Sequence, residues 1–119
     1  MANLQLGSVL AWKATPARSI ALTTTAVDLV SEPCRVVWYW IANEDTGTVY
    51  VKLYNKTGAT SADTPIATFV LGTLEKANCA CMIDCSVALS VRACTGRADN
   101  DNTAPTANKV SINVAYQSS

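Results

Sequence analysis

Lys109–Gln117 reads KVSINVAYQ. Val110, Ile112, Val114 and Tyr116 alternate with Ser111, Asn113, Ala115 and Gln117, a period of two that puts the larger apolar groups on one face of an extended chain and the smaller or polar ones on the other. A helix would scatter the same residues around its circumference. The stretch therefore reads as a strand with one face on a core and one in water.

Working outward from it, the punctuation is that of an all-β domain. Short β-branched or aromatic runs are bounded by Gly, Pro, Asn, Asp or Thr clusters, and no helical period is sustained. Seven or eight strands are expected, near Ser19–Leu22, Ala26–Ser31, Arg35–Asn43, Thr48–Asn55, Pro65–Leu71, Ala77–Ile83, Ser86–Ala93 and Lys109–Gln117. The expected architecture is an antiparallel β-sandwich or jelly-roll-like single domain, residues 18–119, preceded by an extended amino-terminal arm or edge segment, residues 1–17. Thr48–Asn55 also alternates, with Val49, Val51 and Leu53 opposed to Tyr50, Lys52 and Tyr54. Its expected partner is the preceding run, joined through the turn residues Glu44–Gly47. Within ATPAR, Ala14–Arg18, Pro16 is expected to interrupt any strand, and before it Leu4, Leu6, Val9, Leu10 and Trp12 are too apolar to be left in water.

Arg35–Asn43 differs from the other strands. Strict alternation sets Val36, Trp38 and Trp40 on one face and Val37, Tyr39 and Ile41 on the other, so both faces are apolar. A sandwich covers only one of them, and the second needs a loop, the amino-terminal segment or another subunit. Two long polar loops, Lys56–Thr64 and Thr95–Asn108, are candidates for contact with solvent or neighbours.

At 119 residues the chain can bury roughly two-thirds of its unfolded surface in one core without a metal or a disulfide. Nine basic residues balance nine acidic ones, and no Lys/Arg cluster occurs, which argues against nucleic acid; Lys52, Lys76 and Arg92 read as solvated strand residues. No apolar run approaches the roughly 20 residues of a membrane-spanning helix. The amino terminus lacks the pattern of a signal peptide, so synthesis in a reducing cytoplasm is expected.

Catalysis finds little support. There is no His, the commonest general base, and Glu32, Glu44, Asp45, Asp63, Glu75, Asp84, Asp99 and Asp101 fall mostly in expected turns. The glycines are scattered singly, which makes no phosphate-binding loop. ADNDN at Ala98–Asn102 has oxygen ligands that Ca²⁺ favours but lacks the ordered spacing and terminal Glu of a calcium loop. No cofactor or metal is expected.

NCACMIDC, Asn78–Cys85, holds three of the five cysteines. Its spacers do not suit a zinc site and no Cys-x-x-Cys redox motif is present. On one strand Cys79 and Cys81 lie about 6.6 Å apart and are badly aimed at each other. Cys85 and Cys94 bracket a strand about 30 Å long. A hairpin turning at Asp84–Cys85 would set Cys79 opposite Ser90 and Cys81 opposite Ala88. Two readings stay open: Cys34, Cys79, Cys81, Cys85 and Cys94 as reduced, small apolar residues, which the residues favour, or at least one disulfide. Such a bond would join the hairpin to a distant element, with Cys34 the natural partner, or cross between subunits. The odd total leaves at least one thiol free or intermolecular. Trp38, Tyr39, Trp40, Tyr50 and Tyr54 could alternatively form a carbohydrate platform, though aromatics on neighbouring strands more often pair in a core.

With the strands placed, VYVKLYNK (Val49–Lys56), DTPIATFVL (Asp63–Leu71), ALSVRACTGRADNDNTAP (Ala88–Pro105) and ANKVSINVAY (Ala107–Tyr116) follow in an order that resembles a group of small virion proteins of tailed bacteriophages and prophages. The likeness covers Thr48 to Tyr116. Where those proteins commonly carry Gly and Thr, this chain has Cys85 and Cys94, so no cysteine role carries over. The resemblance implies a capsid decoration, or cement, protein on the capsid surface of a virion assembled in the host cytoplasm. It further implies a homotrimer, the major capsid protein as partner, and no catalytic residues. On that reading Leu4, Leu6, Leu10 and Trp12 are expected at the capsid contact, and Trp38, Trp40, Tyr50 and Tyr54 at the subunit interface. The alternative is a head-fibre or tail-fibre module that recognises a host glycan.

Overall fold

A computed structural model describes residues 13–118. Eight strands run in the order β1 (Thr15–Ser19), β2 (Val27–Val30), β3 (Cys34–Asn43), β4 (Val49–Tyr54), β5 (Ala67–Leu71), β6 (Lys76–Cys85), β7 (Leu89–Cys94) and β8 (Val110–Ser118). They form two antiparallel four-stranded sheets, sheet A in the order β1-β8-β3-β6 and sheet B in the order β2-β7-β4-β5. No helix occurs among the described residues. The chain changes sheet at every connection except β4 to β5, so almost every loop closes an end of the sandwich, as in a jelly roll. The expected β-sandwich is therefore the fold.

β8 behaves as its alternation demands. Val110, Ile112 and Val114 are buried against Val49, Val51, Leu53, Leu89 and Val91 of sheet B, while Ser111, Asn113 and Ala115 face outward. Burial of such a side chain is worth about 1.5–3 kcal/mol, which makes these inward rows the main stabilising element.

Three local expectations are corrected. β4 does not pair with β3: it lies in sheet B between β7 and β5, and Glu44–Gly47 is a connection between sheets. Asn43, fully buried at the start of that connection, holds it. Its Nδ2 donates to the carbonyls of Gly47 and Gly72, both at 2.9 Å, and its Oδ1 accepts from the amide of Asp45. Pro16 does not interrupt a strand but lies within β1, opposite Ala115. β1 is an edge of sheet A, where a residue without an N–H is tolerated. Finally, Val36 does not share a face with Trp38 and Trp40. The register shifts between Val36 and Trp38 on both sides of β3, with Val37 as an extra residue relative to β8. A bulge of one residue reverses the side-chain alternation beyond it, so Cys34, Val36, Tyr39 and Ile41 point inward while Trp38 and Trp40 point out.

The outward face of sheet B departs furthest from expectation. Lys52 and Arg92 are fully buried, not solvated, because the loop after β7 folds across β4 and β7. Lys52 Nζ donates to the carbonyl of Ala98. Arg92 Nε donates to the Thr24 carbonyl at 2.7 Å, Nη1 to the Tyr54 hydroxyl at 2.9 Å, and Nη2 to Asn102 Oδ1 at 2.7 Å and the Asp101 carbonyl at 3.3 Å. Asp101 organises the loop around itself, its carboxylate accepting from the amides of Gly96 and Thr103. A Cβ at Gly96 would lie 2.4 Å from that carboxylate, so only glycine allows the approach. The oxygen-rich ADNDN segment thus spends Asp101 and Asn102 on closing the fold.

Carboxylates pin the other loops in the same way. Asp45 accepts from the amides of Thr106 and Thr46, and Asp63 from the amide of Thr60 and from Lys56. These hydrogen bonds, with those of Thr103 and Gly96 to Asp101, hold all three carboxyls below the ordinary 3.8. The folded state therefore favours the ionised form. Their contribution is complete above the unfolded pKa near 4 and disappears as pH falls through the lower folded values. Melting temperature should accordingly be level from about pH 5 to 7 and fall below about pH 4, with a shallower fall in Asp101→Asn.

Candidate functional site

Sheet A has an outward face that no other described segment covers. Down its middle, β3 places Trp38 at 45% exposure and Trp40 at 37%. Their cross-strand neighbours are small or neutral: Trp38 lies between Ala80 and Ala115, and Trp40 between Asn78 and Asn113. The two indoles therefore form a ridge with low ground on either side. Met82, 76% exposed, extends the apolar surface along β6. One end of the face is closed by Arg35, whose Nε donates to Asp84 Oδ1 at 2.6 Å. That hydrogen bond and the guanidinium charge hold the Asp84 carboxyl below its usual range. Both side chains are well exposed, so the pair contributes orientation more than stability.

β6 is the outer strand of this sheet, and between Lys76 and Asp84 it carries no charge. Natural edge strands are usually protected by charges, prolines or bulges against pairing with another chain. Here the only interruption is the register shift opposite Val37. The uncovered face and the uncharged edge are contiguous.

The other candidate residues are distributed differently. Leu4, Leu6, Leu10 and Trp12 lie outside the described residues. Tyr50 is half-buried on the outward side of sheet B, beside Thr68, Val70, Arg97 and Asp99. Tyr54, expected at a subunit interface, is fully buried within the domain with its hydroxyl accepting from Arg92. Burial raises its pKa, against the opposing effect of the guanidinium. Tyr39 packs inward on Phe69, with ring centroids 4.6 Å apart, and so is no part of an aromatic platform.

The cysteine segment is not half of a hairpin with the next strand. β6 pairs with β3 in sheet A, while β7 belongs to sheet B, so Cys79 lies opposite Tyr39 and not Ser90. Cys79 is exposed and Cys81 half-buried, its thiol donating to the Val36 carbonyl at 3.4 Å. Cys34 and Cys85 are buried opposite each other, and Cys94 lies under the long loop with its thiol directed at the Asp101 carbonyl. All five are thiols. Among the described residues no group of three or more His, Cys, Asp or Glu side chains is placed to hold a metal ion. Nor is any helix there long and apolar enough to cross a membrane.

No family model and no curated protein sequence matches the chain. A solved structure that does match is a chain of the Bacillus endospore appendages described as a family of disulfide-linked pili. It is 17% identical, with a TM-score of 0.41, and the match covers 90% of this chain and 92% of that one.

Proposed function

We propose that this chain is a structural virion protein that binds the assembled capsid lattice of a bacteriophage and stabilises the head, several copies acting together. The observation that supports the reading is the Trp38–Trp40 ridge, which no other described segment covers, beside the uncharged β6 edge. Each indole leaves roughly 100 Å² in water, an unfavourable exposure of about 2.5 kcal/mol that a second protein surface would relieve. Tryptophans set among small neighbours are typical centres of protein–protein contacts. We assign this face to the contact between copies, most simply in a trimer. Such an arrangement uses one patch repeatedly and raises the effective concentration of each weak attachment to the shell. A ligand that binds only the assembled lattice then stabilises it by mass action.

Counting this chain in purified particles by quantitative mass spectrometry tests the proposal. Hundreds of copies per particle are expected; a handful would instead favour a fibre. The fibre reading has one observation of its own, the amides of Asn78 and Asn113 flanking Trp40, which suits stacking and hydrogen bonding of a sugar ring. Saturable glycan binding lost in Trp40→Ala would select it.

A further inference from the structure

The buried face of sheet A carries a cysteine pair within the apolar core, away from the assembly surface. Cys34 opens β3 and Cys85 closes β6, and the antiparallel register sets them directly opposite each other. Both are 1% exposed in the core. Opposed residues of antiparallel strands have Cα atoms about 4.5–5.5 Å apart, inside the window of about 4.4–6.8 Å that a disulfide needs. The register shift of β3 begins only at Val36, so the pairing at Cys34 is regular.

The remaining cysteines have other settings. Cys79 is exposed opposite Tyr39, Cys81 donates to Val36, and Cys94 belongs to the outward side of sheet B. We propose that Cys34 and Cys85 form an intramolecular disulfide when the protein meets an oxidising environment, tying the first residue of an inner strand to the last residue of the edge strand.

The oxidant required is a small-molecule disulfide, RSSR. The thiolate of Cys34 attacks one of its sulfurs, forming a mixed disulfide and expelling RS⁻, which takes up the proton that Cys34 lost. Cys85 then loses its proton, and its sulfur displaces the second RS⁻ from Cys34. Two S–H bonds and one external S–S bond break, one protein S–S bond forms, and two RSH leave with the protons and electrons. The order of attack follows from the unequal burial of the two thiols. Burial raises both thiols and Cys85 the further, up to about 12, so Cys34 is the more readily ionised sulfur. Both thiols are buried, so the reaction is slow and passes through opening of the strand ends, where Pro33 and Ser86 are exposed.

The test uses the reduced wild-type chain, incubated with glutathione disulfide, then unfolded, alkylated and digested with trypsin. Residues 19–35 should appear linked to residues 77–92, with fragmentation placing the bond at Cys85 rather than Cys79 or Cys81. The oxidised protein should remain a single chain on non-reducing electrophoresis and melt roughly 10 °C higher, because the bond closes a long loop in the unfolded state. A Cys79→Ser, Cys81→Ala variant should give the same link and the same gain. Recovery of Cys34 and Cys85 as alkylated thiols after prolonged oxidation would overturn the proposal. So would Cys34 bonded to any other cysteine or to a second chain.

Discussion

Arg92→Met is expected to destabilise the domain by about 3–5 kcal/mol, the largest effect of any single substitution outside the apolar core. The guanidinium is fully buried, yet among the described residues it pairs directly with no carboxylate. Its donors instead satisfy the carbonyls of Thr24 and Asp101, the Tyr54 hydroxyl and the Asn102 side chain. One side chain therefore joins β7, β4, the segment before β2 and the long loop. Methionine fills much the same volume but leaves these acceptors without a donor in a site that water reaches poorly, and each orphaned group costs about 1–3 kcal/mol. Arg92→Lys should recover only part of the loss, since one ammonium cannot reach partners on opposite sides of a planar fork. Urea unfolding would measure both. Released from its anchor, the loop should also be cut faster by trypsin after the exposed Arg97. A variant with wild-type midpoint and wild-type cleavage would show that the loop is held by Asp101 and Lys52 instead.

Replacing both Trp38 and Trp40 by alanine should have the opposite character, a small effect on folding and a large one on assembly. The rings stand on the outward face, so their loss should change unfolding stability by no more than about 1 kcal/mol. If the face joins copies of the chain, about 5 kcal/mol of relieved exposure is lost per ridge, and self-association weakens about 1000-fold or more. Sedimentation velocity should then show monomers where the wild type shows an oligomer, and particles should lose the protein because single attachments lack avidity. Val70→Ser, a still more exposed apolar position on sheet B, serves as control and should leave association unchanged. A double variant that sediments like the wild type would remove the tryptophan ridge from the interface.

The same residues mark what could be read without the fold. The alternations of Lys109–Gln117 and Thr48–Asn55 are local, and both segments form strands with Val110, Ile112, Val49 and Val51 buried as the pattern requires. The aromatic strand was legible as two-faced, but not which residues shared a face. A bulge at Val37 has no signature in composition and is decided by how β6 and β8 register on either side. Cys34 could be named as the natural partner of the cysteine segment, while the assumed hairpin with Ser86–Ala93 misplaced the rest. A jelly roll sends successive strands to opposite sheets, so sequence proximity is a poor guide to pairing.

From its residues alone the chain is all-β, modest in charge and too apolar on its third strand for one core to cover, because those properties depend on period and composition, which are local. Only the tertiary structure decided that Lys52, Tyr54 and Arg92 are interior, that Trp38 and Trp40 are outside, and that Cys34 meets Cys85. Each of these depends on which distant segment arrives beside the residue. Contacts between remote strands are set by the sum of all pairings at once, and no short stretch carries that information.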